Sequence, residues 1–284
     1  MSFERLHYLP IAIFILFPTT FLGSYIAAVL LGHVQPNFPY ISDTAAYSPE
    51  SCVFGQLINL GTLVLAACIY IRYREIEAFP SMEADNYQPS TPAPLSVRFN
   101  KWSLYLGLLA CFGLSLVANF QETNVLVVHL TGAFLCFGVG TLYFWIQAFA
   151  SYHLHPIVNG LWVAHLRMVL SVISTIFFLI LTVTGVASHL LFHGSNPRKW
   201  YPEDGGWSLH VVSTASEWVV AIAFCIYILT FVPEFRRVSI EEPRVSVAFE
   251  VMRPYVTDIS GEAFIGVSES AEEVYAQSST QLPP

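Results

Sequence analysis

Residues 162–191 read WVAHLRMVLSVISTIFFLILTVTGVASHLL. After Arg167 this stretch carries no charged side chain, and apart from His189 its polar residues are Ser and Thr. Roughly 20 apolar residues in a helix cross a hydrocarbon core of about 30 Å. A soluble surface helix is apolar along one stripe only, whereas this one is apolar all round. The stretch therefore predicts a transmembrane helix. Working outward, five more apolar stretches meet or nearly meet the required length, at about Tyr8–Leu31, Val53–Tyr70, Trp102–Ala118, Val125–Phe149 and Leu209–Val232. Composition agrees: 55% of the 284 residues are hydrophobic and 11% charged, where a soluble domain carries about a quarter charged. The predicted fold class is all-α, a polytopic membrane protein built as a six-transmembrane-helix bundle. The expected domains are a transmembrane unit over 1–237 and a disordered cytosolic tail over 238–284.

Orientation follows from the basic residues. One side holds Arg5, Arg72, Arg74, Arg98, Lys101, Arg236, Arg237, Arg244 and Arg253, with Arg167 just inside the fifth span at the same end. The other side holds only Arg198 and Lys199. By the positive-inside rule both termini are expected in the cytosol. Arg167 and His165 are expected to snorkel to the headgroups. The first span is too long for the apolar core of a signal peptide and reads as a retained helix. The tail is rich in Ser, Pro and Glu, a composition that predicts disorder, and it lacks the basic block that nucleic acid requires. The five cysteines are spread over four spans, with only Cys52 near the outer face, which argues against an intrachain disulfide framework.

The loops differ in kind. The first outer loop, 32–52, reads GHVQPNFPYISDTAAYSPESC, with three prolines and turn-forming Asn37 and Asp43. Its Ser48-Pro49-Glu50 predicts the start of the second helix, and the plain reading of the loop is an ordered turn. The loop from Arg72 to Lys101 holds Pro80, Pro89, Pro92 and Pro94, which predicts an extended linker. The short link 119–124 predicts that spans three and four form an antiparallel hairpin. Gly107, Gly113, Gly132, Gly138 and Gly140 mark places where helices can approach closely in lipid.

Polar groups inside a membrane are costly and draw attention to function. In the sixth span His210, Ser213, Thr214 and Glu217 fall at i, i+3, i+4 and i+7, one stripe of a helix. His129 lies at a comparable depth in the fourth. His129, His210 and Glu217 fit a proton-linked pore, a transporter or an intramembrane hydrolase. The reading preferred is an interhelical hydrogen-bond set that fixes the bundle. No HExxH zinc motif occurs, and no metal or cofactor is expected.

Several strings then fall into place together. Phe38-Pro-Tyr-Ile-Ser-Asp-Thr44 is followed by Pro49-Glu-Ser-Cys-Val-Phe-Gly-Gln56, Asn100-Lys101, Leu114-Ser-Leu-Val-Ala-Asn-Phe-Gln121 and His129-Leu-Thr-Gly-Ala133. Trp200-Tyr-Pro-Glu-Asp-Gly205, Leu209-His210 and Thr214-Ala-Ser-Glu-Trp218 complete the set. In order and spacing this resembles the damage-regulated autophagy modulator (DRAM) family from about Leu9 to Arg237; the tail lies outside the pattern. The resemblance implies a six-span, non-enzymatic regulator of autophagy in lysosomal or other endomembranes, with links to cell death. It supplies no catalytic residues. Expected partners are the bilayer and unidentified membrane or autophagy proteins. The outer-loop motif (Pro39, Tyr40, Ile41, Ser42, Asp43, Glu50, Ser51, Cys52) joins the candidate site. The alternative is a lipid or ion transport or lipid-organising protein with a lumen-facing polar site, and the alternative address is the plasma membrane.

Overall fold

The structure, a computed structural model, describes residues 2–85 and 95–241. Among these residues six helices are long and apolar enough to cross a membrane. They are α1 (Tyr8–Leu30), α2 (Glu50–Asp85), α3 (Val97–Asn119), a fourth span built from α4 (Glu122–Ala133) and α5 (Gly140–His153), α6 (Leu161–Leu191) and α7 (Trp207–Leu229). A one-turn α8 (Val232–Phe235) extends the last span. Ser and Thr within the spans mostly donate to a carbonyl one turn back, as Thr62, Thr141, Ser171 and Ser216 do at 2.6–2.8 Å. Such bonds let these residues sit in lipid without an orphaned hydroxyl. Large apolar side chains such as Val127, Val183 and Leu190 face outward, the arrangement that a hydrocarbon solvent requires. A two-residue antiparallel pair, β1 (Ser2–Phe3) with β2 (Ile240–Glu241), sets the start of the chain beside the exit of the last span. Both therefore lie at one end, here called the terminal end; the opposite end is the far end.

The second helix runs further than the sequence suggests. Residues 72–85 continue α2 and correct the expectation of an extended linker beginning at Arg72. Tertiary contacts outweigh the nearby prolines: Ile76 packs with Ala150 and Leu154, and the Asn100 amide donates to the Tyr73 carbonyl at 2.9 Å. Pro89, Pro92 and Pro94 lie outside the described residues, as does the expected disordered tail beyond Glu241.

The spans pack in chain order into a closed ring, with α7 returning to α1. The expected hairpin of spans three and four is present and depends on two glycines. A Cβ on Gly113 would stand 2.6 Å from the Cys136 nitrogen and 2.7 Å from the Gly132 carbonyl. On Gly132 it would meet the Gly113 carbonyl at 2.9 Å. Backbones this close exclude any side chain. Between α4 and α5 the chain winds as a π-helix over Phe134–Val139.

Candidate functional site

At the far end the loop after α1 folds back over the mouth of the ring. Phe38 adopts a left-handed conformation, φ 51°, and beyond it the residues from Pro39 to Asp43 descend onto α7. Four bonds hold them there. The Trp218 indole donates to the Pro39 carbonyl at 3.0 Å. The Tyr40 hydroxyl donates to Ser213 Oγ at 2.7 Å, and Ser213 in turn donates to the Leu181 carbonyl of α6 at 2.9 Å. The Ile41 amide donates to Glu217 Oε2 at 2.6 Å, and the Ser42 amide bonds the same carboxylate. Glu217 thus caps two successive backbone amides that would otherwise be stranded at the edge of the membrane.

The remaining candidates fall around this anchor. His210 stacks on Trp200 (centroids 4.1 Å apart) and meets the Tyr40 ring edge-on at 5.3 Å. Its Nδ1 is buried with no hydrogen-bond partner among the described residues, so no Ser213–His210 nucleophile–base pair is formed. Thr214 donates only within its own helix, to the Val211 carbonyl at 3.1 Å. His129 is buried, its Nδ1 bonded to the Phe120 carbonyl at 2.7 Å. Glu50 is buried and paired with His33, Ser51 is half-buried and Cys52 is exposed and free. Among the described residues no cluster of His, Cys, Asp or Glu is arranged to hold a metal ion.

Asp43 completes the far end. It is buried and hydrogen-bonded to Glu122 at the start of span four. Arg198, from the loop between α6 and α7, reaches Glu122 at 2.9 Å and Asp43 at 4.0 Å. Burial, reinforced by the charge of Glu122 and the bond between them, pushes the Asp43 carboxyl well above the usual carboxylate range. The same contact favours the protonated form of Asp43, in which its hydroxyl can donate to the Glu122 carboxylate. Burial likewise raises the Tyr40 phenol.

A second polar cluster, at the terminal end, is absent from the sequence reading. Arg167 is fully buried and corrects the expectation that it snorkels; His165 alone lies at the exposed edge. The Arg167 guanidinium grips Glu234 through both Nη atoms, at 2.9 and 2.6 Å. It also donates to Ser151 Oγ at 2.7 Å and to the Thr230 hydroxyl and carbonyl at 2.8 and 3.0 Å. Arg72, also fully buried, pairs with Glu75 at 2.8 Å and Glu234 at 3.4 Å and donates to Gln147 at 3.0 Å. Both guanidiniums lie over the Phe231 ring, 4.6 and 5.6 Å from its centroid. Two arginines and two glutamates balance in charge and tie α2, α5, α6 and α8 together. The available signal was the run Arg167, Leu170, Ser171 and Ser174, one face of α6 and buried throughout.

The geometry is that of a closed ring with a pinned far-end loop, and comparison with known proteins gives it a lineage. A family model described as the Frag1/DRAM/Sfk1/Cwh43P N-terminal domain matches residues 5–238. The chain belongs to this family. Within it, DNA damage-regulated autophagy modulator protein 2 of Bos taurus is 39% identical over 244 residues, covering 84% of this chain and 86% of that protein. DNA damage-regulated autophagy modulator protein 1 of Homo sapiens is 40% identical over 220 residues, 78% of this chain and 87% of that protein. Modulator of macroautophagy TMEM150B of Xenopus tropicalis is 34% identical over 151 residues, 53% and 60% of the two chains. No solved structure matches. The Frag1/DRAM match spans every helix described above, so the ring, the loop anchor and the terminal-end cluster all lie inside the family domain.

Proposed function

We propose that this chain is a non-enzymatic modulator of autophagy, with an influence on cell death. It works from the lysosomal or another endosomal membrane, with both termini in the cytosol. The observation that carries the reading is that relatives 39–40% identical over 78–84% of the chain are named autophagy modulators. Two features support the non-enzymatic part. The polar groups that a hydrolase would use, Ser213 and Glu217, are already engaged with the outer loop. His210 is packed between aromatic rings rather than against a nucleophile. Partners are then the bilayer and membrane or autophagy proteins. The test is deletion of the chain, with autophagic flux measured with and without a lysosomal inhibitor and the native protein located by fractionation. Altered flux restored by the intact chain, in cells where it co-sediments with lysosomal markers, is the expected result. Unchanged flux, or steady residence at the cell surface, would overturn the proposal.

A further inference from the structure

The far-end segment 33–50 carries an ionisable contact on either side of the residues that Glu217 anchors. On the first side His33, just past the end of α1, bonds through Nδ1 to the Glu50 carboxyl at the start of α2. Glu50 is buried, and its second oxygen, Oε2, has no hydrogen-bond partner among the described residues. The His33 side chain keeps 30% of its surface open to water, so protons reach it. A carboxylate buried on a single partner is costly unless that partner is a cation. Histidine is the side chain that changes charge between about pH 5 and 8. The contact is therefore an ion pair in acid and loses its cation toward neutrality. The other neighbour of His33 is the Tyr47 ring, 5.2 Å between centroids, and Arg198 stands over that ring at 5.7 Å.

On the second side Asp43 follows the anchored residues directly and meets Glu122 of span four. Two carboxyl groups share one cation: Arg198 reaches Glu122 at 2.9 Å but Asp43 only at 4.0 Å. Glu217 of α7 and the Tyr40 hydroxyl lie within electrostatic reach of Asp43, and His129 within reach of Glu122. With a proton on Asp43 the pair is an acid hydrogen-bonded to a carboxylate. Without it, two like charges stand in contact at a buried site. The raised Asp43 carboxyl has the same sign, since its contribution is full in acid and is lost as pH rises through the folded value.

We propose that residues 33–50 form an acid-held cap, in which proton uptake at His33 and at the Asp43–Glu122 pair closes both flanks of the loop and proton release frees them. Residues 39–42 stay on α7 throughout. Because both contacts strengthen in the same direction, the response of the whole segment is steeper than that of either alone. The loop between α6 and α7 follows the cap, joined to it by Arg198 and by the Gln35 amide, which donates to the Arg198 carbonyl at 3.3 Å. The cap thus reads the acidity on the far side of the membrane. The inference stands apart from the autophagy reading, and either can fail without the other.

The test uses the full chain in phosphatidylcholine nanodiscs, with hydrogen–deuterium exchange followed at about pH 5 and about pH 7.5 and corrected for the intrinsic exchange rate. Peptides covering 33–38 and 43–50 should lose protection about tenfold at the higher pH, the effect of one charged hydrogen bond, while peptides within α3 and α6 change little. Asp43→Asn keeps a donor for Glu122 at every pH, and Glu50→Gln needs no cation. The double variant should therefore hold its protection at both pH values. Should it fail to fold, His33→Gln decides: it keeps a donor for Glu50 but never a charge, so protection over 33–38 in acid should drop to the natural chain's neutral level. Equal protection of the natural chain at both pH values, or protection that rises with pH, would overturn the proposal. So would a loss spread evenly over all six spans, a double variant as pH-sensitive as the natural chain, or a His33→Gln protein with full protection in acid.

Discussion

Replacing Arg167 by alanine should be among the most damaging single changes in this protein. The side chain donates five hydrogen bonds, two of them to Glu234, which is 2% exposed. Without it Glu234 retains only the longer Arg72 contact at 3.4 Å, and the Ser151 and Thr230 groups lose their donor. Breaking a buried ion pair by removing one partner costs about 3–5 kcal/mol. At about 2–4 °C per kcal/mol for a domain of this size, the melting temperature should fall by about 6–20 °C. Arg167→Lys keeps the charge but not the planar fork, and should lose about 1–3 kcal/mol. The double change Arg167→Met with Glu234→Gln leaves Arg72 paired with Glu75 and should recover most of the loss, since a buried pair replaced as a unit is near neutral. Thermal unfolding followed by size-exclusion in mild detergent measures all three. An Arg167→Ala protein that melts with the natural chain would show that the guanidinium reaches the headgroups after all, and the cluster would have to be abandoned.

Three further outcomes follow from the same structure. Asp43 has a raised carboxyl in the folded state, so its contribution to stability is full below the unfolded value of about 3.9 and is lost as pH rises through the folded value. Asp43→Asn should therefore flatten the fall in melting temperature between acidic and neutral pH, whereas an unchanged pH slope would remove the shared proton from the account. Gly113→Val places a side chain against backbone 2.6–2.7 Å away and should part the α3–α4 hairpin, giving little folded protein; normal yield in detergent contradicts that packing. A tag after Thr280 should be cut by protease added to sealed organelles, and full protection would invert the topology.

The spans were legible because a bilayer demands some 20 apolar residues at a time, a signal that needs no partner. The stripe of His210, Ser213 and Glu217 was legible for a related reason: helical spacing aligns them on one face. What they hold was not. The amide that Glu217 accepts is 176 residues away in sequence, and nothing local says that the 39–43 segment descends onto α7. Arg167 misled because a basic residue near a helix end snorkels by default; only its helix face, continued by Ser171 and Ser174, distinguishes inward from outward. The extension of α2 to Asp85 was hidden by Pro80 within it, by the prolines that follow and by packing on α5 and α3 that a linear reading does not weigh.

The central claim is that the far-end polar residues hold the fold and that activity follows the amount of folded protein. Glu217→Ala strands the Ile41 and Ser42 amides, at about 1–3 kcal/mol for each unsatisfied group, and His210→Ala removes the ring that fills the space between Trp200 and Tyr40. The direct measurement is autophagic flux plotted against the quantity of correctly located protein, for the intact chain and these two variants expressed in deleted cells. The account predicts that both variants accumulate less and that flux falls in proportion. A Glu217→Ala or His210→Ala protein present at full level, in the right membrane, with flux abolished would contradict it and make the cluster a working site.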